Sequence, residues 1–75
     1  MTIIAPRVAV DPLVRFGKPV IQGTRVPVSV IVGAVASGDS WEEIAREYGI
    51  NEEDIRAALA YALVRLEEET IQAPI

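Results

Sequence analysis

Four of the five prolines, at positions 6, 12, 19 and 27, fall within the first 27 residues, and the next is Pro74. A proline has no backbone N–H and clashes with the preceding helical turn. It also biases the residue before it toward extended geometry. Their spacing leaves no room for a long helix before Pro27, whereas the stretch from Val28 to Thr70 contains none. The chain therefore reads as one domain in three parts: an extended or β-ribbon segment over 1–27, a helical unit over 28–70 and a tail over 71–75.

In the first part, Arg7-Val8-Ala9-Val10 reads as a short strand, and Pro6 marks it as an edge strand because it cannot donate to a ladder. Asp11-Pro12 signals a turn, and Leu13 to Phe16 is too short to classify. Pro19-Val20-Ile21 suits a second strand, and Gly23 permits a turn at positive φ. A two-stranded ribbon pairing 7–10 with 19–21 is the simplest arrangement.

From Val28 the periodicity changes. Val28, Ile31, Val32, Val35 and Ala36 repeat at helical spacing, Pro27 suits the position before the first turn, and Gly38 suits a left-handed stop. Val30, Gly33 and Ala34 occupy the opposite face, so this helix is apolar nearly all round and predicts burial on two sides. A second helix starts at Ser40, where Ser40 and Glu43 have the spacing of a capping box. Its stripe is Trp41, Ile44, Ala45 and Tyr48, and Gly49 stops it. Asn51 caps a third helix whose stripe is Ile55, Ala58, Leu59, Ala62, Leu63 and Leu66, running to about Glu69 at 1.5 Å per residue.

Helices two and three are joined by Gly49-Ile50-Asn51, the arrangement of a helix-turn-helix. With the first helix they make a mainly α unit, a homeodomain-like three-helix bundle preceded by a short N-terminal β-ribbon. The start of the third helix, the part that would enter a major groove, reads Glu52-Glu53-Asp54. Carboxylates repel phosphates, and the same three residues suit the positive end of the helix dipole. Arg56 is the one residue there able to read guanine.

Charge is divided along the chain. Residues 1–38 hold four cations and one acid, a net of +3, and residues 39–75 hold three cations and ten acids, a net of −7. Arg15, Lys18 and Arg25 lie in a segment stiffened by glycine and proline, which loses little entropy on docking. That segment either tracks phosphates or covers the open end of the helical core, or does both.

Catalysis is not expected. The chain has neither His nor Cys, the commonest general base, nucleophile and metal ligands. Its hydroxyl residues have no base placed near them, and Gly17 to Gly23 lacks the ending of a P-loop. No metal site and no cofactor is expected. No stretch is long enough to span a membrane, and Met1 to Pro12 makes a poor signal peptide, so a soluble, cytoplasmic protein is expected. An apolar fraction of 51% in 75 residues is high for a domain that buries only roughly 60% of its unfolded surface, and it points to association. Trp41 reads as a core or interface anchor. Ala57, Ala60, Tyr61 and Val64 form a second apolar strip on the third helix, a contact surface. A two-fold dimer through the first helix or this strip is expected.

The run GKPVIQGTRVPV, followed by ASGDSWEEIAREY and EEDIRAALAYA, resembles the family catalogued as domain of unknown function 433, over about Val8 to Leu63. The family often has a basic residue where Gln22 stands, and a proline with an extra residue or two where this chain has Gly49-Ile50-Asn51. The resemblance implies a homeodomain-like trihelical fold and an antitoxin role beside a small PIN-like nuclease toxin. On that basis Tyr61, Val64, Glu67, Glu68 and Glu69 become candidates for binding a basic toxin surface, and Arg15, Lys18, Arg25 and Arg56 for contacting operator DNA. The alternative is a protein interaction or oligomerisation module without a nucleic-acid role.

Overall fold

The structure, a computed structural model, describes residues 1–70; the tail read over 71–75 lies outside the described residues. Three strands precede three helices: β1 (Thr2–Ala5), β2 (Val8–Val10), β3 (Val20–Ile21), α1 (Val28–Ala36), α2 (Trp41–Tyr48) and α3 (Glu52–Glu67). The protein is mainly α, with a small antiparallel sheet at its N-terminal end.

The sheet order is β1-β2-β3, which corrects two expectations. The ribbon has three strands rather than two, and β2 is its central strand rather than an edge. Pro6 does not lie in a ladder at all. It shares the β1–β2 turn with Arg7, whose φ is 64°. Pairing runs Thr2 to Val10, Ile3 to Ala9 and Ala5 to Val8, with Ile4 as the extra residue of a bulge. β3 pairs through Val8–Ile21 and Ala9–Val20. Side chains alternate between the two faces of a strand, so Val8 and Ile21 share one face and join the helical core. Ala9 and Val20 share the other and are buried as well.

The segment from Gly17 to Val28 wraps tightly around β3. Gly23, at φ 79°, makes the reversal. The Thr24 hydroxyl donates to the Ile21 carbonyl (2.7 Å) and accepts from the Val26 N–H (3.0 Å). The Ile21 N–H donates to the Val26 carbonyl (2.9 Å), and the Val28 N–H donates to that of Pro19 (3.0 Å). The stiffness anticipated from glycine and proline is thus reinforced by a closed set of backbone bonds that leads directly into α1.

All three helices form where their spacing places them. α1 ends in a Schellman motif: Gly38, at φ 92°, donates to Val35, and Asp39 donates to Ala34, bonds that satisfy terminal carbonyls. At α2 the Ser40 hydroxyl accepts from the Glu43 N–H (3.1 Å), and this is one half of the expected box. The full reciprocal box stands at α3, where Asn51 and Asp54 each accept from the other's N–H (2.9 and 3.1 Å). α3 ends at Glu67, two residues earlier than expected.

Ile21, Ile31, Ile44, Ile55 and Val8 are the largest fully buried side chains, one from each of β2, β3 and the three helices. Burial of α1 on two sides is not found in the single chain. Val28 and Ile31 are buried, while Ser29, Val30 and Gly33 face outward.

Candidate functional site

Two grooves flank α3. The larger, about 630 Å³, lies between α1 and the C-terminal half of α3, with Val28, Val32, Tyr61 and Leu66 in its walls and Lys18 and Arg65 also lining it. The smaller, about 230 Å³, lies between α3 and the β1–β2 turn, and Pro6, Ala60, Tyr61, Val64 and Glu68 line it. Tyr61 is half-buried and lines both.

The proposed partner-binding residues therefore converge in part. Tyr61, Val64 and Glu68 border one groove, and Glu67 and Glu69 are exposed beside it at the end of α3. Glu68 also forms an ion pair with Arg65 one helical turn back (2.9 Å). Sequence reasoning missed the opposite wall, Ile4 to Pro6, because the β1–β2 turn reaches α3 only in three dimensions.

The cationic residues divide into three places. Arg15 and Arg25 meet: the Arg15 Nε donates to the Arg25 carbonyl (3.2 Å). Lys18 lines the larger groove. Arg56 stacks over the Trp41 ring, 5.3 Å from its centroid, a cation–π contact that fixes the start of α2 to the first turns of α3. Among the described residues, the ion pairs are made by Arg7 and Arg65, so Arg15, Lys18, Arg25 and Arg56 retain their positive charge toward solvent.

Arg7 behaves differently from the other N-terminal cations. Its guanidinium donates to Asp54 (3.0 Å) and to Glu53. The acidic start of α3, capped by Asn51, is thereby partly offset in charge from the β1–β2 turn. Among the described residues, ion pairs bridge the two halves of the chain at this one point.

Sequence reasoning also left Leu13 to Phe16 unassigned. There Arg15 and Phe16 both adopt left-handed backbone (φ 52° and 56°), followed by Gly17 at φ 80°. Leu13 is 88% exposed and Phe16 is 100% exposed.

A small mainly α domain with an N-terminal sheet, a cationic loop system and two grooves along its last helix is the class defined by this geometry. Residues 8–62 match the model of the family described as Protein of unknown function (DUF433), and the chain belongs to that family. A Mycobacterium tuberculosis (strain ATCC 25618 / H37Rv) protein named "Putative antitoxin VapB45" is 33% identical over 52 residues. The crystal structure of Rv2018 from Mycobacterium tuberculosis superposes with a TM-score of 0.65 at 33% identity, over 69% of this chain. The match covers 69% of this chain but only 22% of that relative's length and 24% of the solved chain. Both matched proteins therefore extend well beyond the shared region. Among the described residues, no helix is long and apolar enough to cross a membrane.

Proposed function

We propose that this protein is an antitoxin-like component of a toxin–antitoxin pair. It binds a small PIN-like nuclease toxin in the cytoplasm and also contacts operator DNA as a homodimer. The observation that carries this reading is the 33% identity, over 69% of the chain, to a relative named as an antitoxin.

The surfaces fit two kinds of partner. The Tyr61–Val64 face with Glu67, Glu68 and Glu69 offers apolar contact beside negative charge, which suits a nuclease face built to hold nucleic acid. The cations Arg15, Lys18 and Arg25 offer phosphate contacts. In this reading α2 and α3 form a homeodomain-like helix-turn-helix, but the start of α3 is not its main contact. Glu53 and Asp54 are engaged there by Arg7, and Glu52 remains exposed. Arg56, held over Trp41, is the α3 residue left to approach a base edge.

Co-expression with the product of the adjacent reading frame tests the toxin half. Growth inhibited by that product should be restored by this protein and restored less by Tyr61→Arg or Val64→Asp. Full restoration by both variants would remove this face from the interface, and no restoration by the wild type would end the antitoxin reading.

A second reading, an oligomerisation module without nucleic acid, is favoured by the apolar groove between α1 and α3. It is distinguished by mixing the protein with duplex DNA from its own promoter at low salt. Binding through phosphate contacts must weaken with salt at a logarithmic slope of about −0.9 per contact.

A further inference from the structure

We propose that Phe16 is a wedge that inserts between base steps of duplex DNA, held on a left-handed turn and flanked by Arg15, Lys18 and Arg25. The inference rests on the DNA-contact part of the function proposed above and adds a residue and a mode of binding to it.

The turn is unusual in its backbone. The Gly17 N–H donates to the Val14 carbonyl and the Lys18 N–H to the Arg15 carbonyl, both at 3.1 Å. These bonds close a loop in which Arg15, Phe16 and Gly17 all have positive φ, at 52°, 56° and 80°. L-residues other than glycine, asparagine and aspartate seldom adopt that region, and two in succession are rarer still. Strain of this kind concentrates at functional positions.

The strain yields no packing in return. Phe16 is completely exposed, so its ring gains nothing from folding. A single exposed apolar residue means little on its own. Here it coincides with a charge pattern: from Leu13 to Val28 there are three cations and no acid. None of the three is in an ion pair among the described residues. The nearest acid before the turn, Asp11, accepts from the Leu13 N–H (2.9 Å). The Arg15 side chain is tied to the Arg25 carbonyl, which joins the second cationic loop to this turn.

An aromatic tip on a stiff cationic loop matches the chemistry of a stacked base pair bordered by phosphates. Proteins that bind in the minor groove insert apolar side chains between base steps and kink the duplex, while neighbouring cations hold the backbone. A protein pocket for Phe16 would instead need acidic groups around an apolar hole, and it would leave DNA binding indifferent to the ring.

The test uses fluorescence anisotropy with a short duplex from upstream of the gene, its ends carrying a donor–acceptor pair that reports bending. Phe16→Ala should bind about tenfold more weakly, within the range for loss of one base–aromatic contact, and should lose the bend. Its salt dependence should match that of the wild type, since no phosphate contact is removed. Phe16→Trp should restore both affinity and bend. By contrast, Arg15→Gln with Arg25→Gln should flatten the salt dependence. Wild-type affinity and bending in Phe16→Ala would overturn the wedge and leave DNA contact through the cations standing. Equal loss of affinity for the single strand and the duplex, without any bend in the wild type, would also overturn it. No duplex binding by the wild type at low salt would remove both the wedge and the DNA part of the proposed function, while the toxin part would still be decided by the separate growth assay.

Discussion

Arg7 lies 47 residues from Asp54 in sequence and 3.0 Å from it in space. Asp54 has two tasks: it closes the capping box with Asn51 and accepts from Arg7. Its side chain is only 13% exposed, against 69% for Glu53, which also meets Arg7. An exposed ion pair contributes about 0.2–1 kcal/mol, whereas loss of a capping partner adds about 1 kcal/mol. Urea denaturation should therefore show Asp54→Ala losing roughly 1–2 kcal/mol and Glu53→Ala less than about 0.5 kcal/mol; equal losses would mean that the cap is idle. Phe16 calls for the opposite experiment. A left-handed residue other than glycine costs about 1–2 kcal/mol, and the greater freedom of glycine in the unfolded chain returns roughly half of that. Phe16→Gly should leave the protein as stable or up to about 1 kcal/mol more stable. The same variant should lose the bent DNA complex. A rise in thermal midpoint accompanied by a fall in affinity is the mark of strain retained for function.

At the scale of elements, the two helix starts differ in completeness, and that difference is measurable. Ser40 accepts one bond from Glu43, whereas Asn51 takes part in a reciprocal pair that is also braced by Arg7. Replacing either cap by alanine falls within about 0.5–2 kcal/mol. Asn51→Ala should lie near the upper end and Ser40→Ala near the lower, with helix content by circular dichroism falling more in the former. The same contrast explains what could be read from the residues alone. The starts and stops of α1, α2 and α3 are set by groups within a few residues of one another, so Pro27, Gly38, Ser40, Gly49 and Asn51 announced them. β1 is different: its bulge at Ile4 and its pairing exist only through β2, and Pro6 masked the run by sitting in the turn. The Arg7 bridge, the wall formed by Ile4 to Pro6 and the left-handed backbone at Phe16 are likewise settled by distant contacts or backbone conformation, for which local spacing carries no signal. Of the candidate site, the cations and the Tyr61–Val64 strip could be named from the sequence, while the grooves between elements could not.

For the molecule as a whole, burial and exposure are closely balanced. Nine hydrophobic residues are buried, Val8 to Ala58, and nine large ones from Met1 to Leu66 are exposed among the described residues. A domain of this size has little core to spare, so association that covers the exposed set would add directly to its stability. Two faces compete for that role. On α1, Val30 and Gly33 face outward, and a Cβ added at Gly33 would meet no atom within 4 Å. On α3, Val64 is 52% exposed beside the β1–β2 turn. Light scattering of the wild type should give twice the chain mass of 8.1 kDa, with a thermal midpoint that rises with protein concentration. Gly33→Ala should raise monomer stability by about 0.5–1 kcal/mol, since glycine is a poor helix residue and the site has room. If the two-fold contact runs across α1, Gly33→Leu halves the mass and Val64→Asp leaves it unchanged; if it runs across the α3 strip, the outcomes exchange. A wild type that stays at the single-chain mass, with a midpoint independent of concentration, would leave both faces to a different partner, and the toxin would then have to cover the surface that this small core leaves in water.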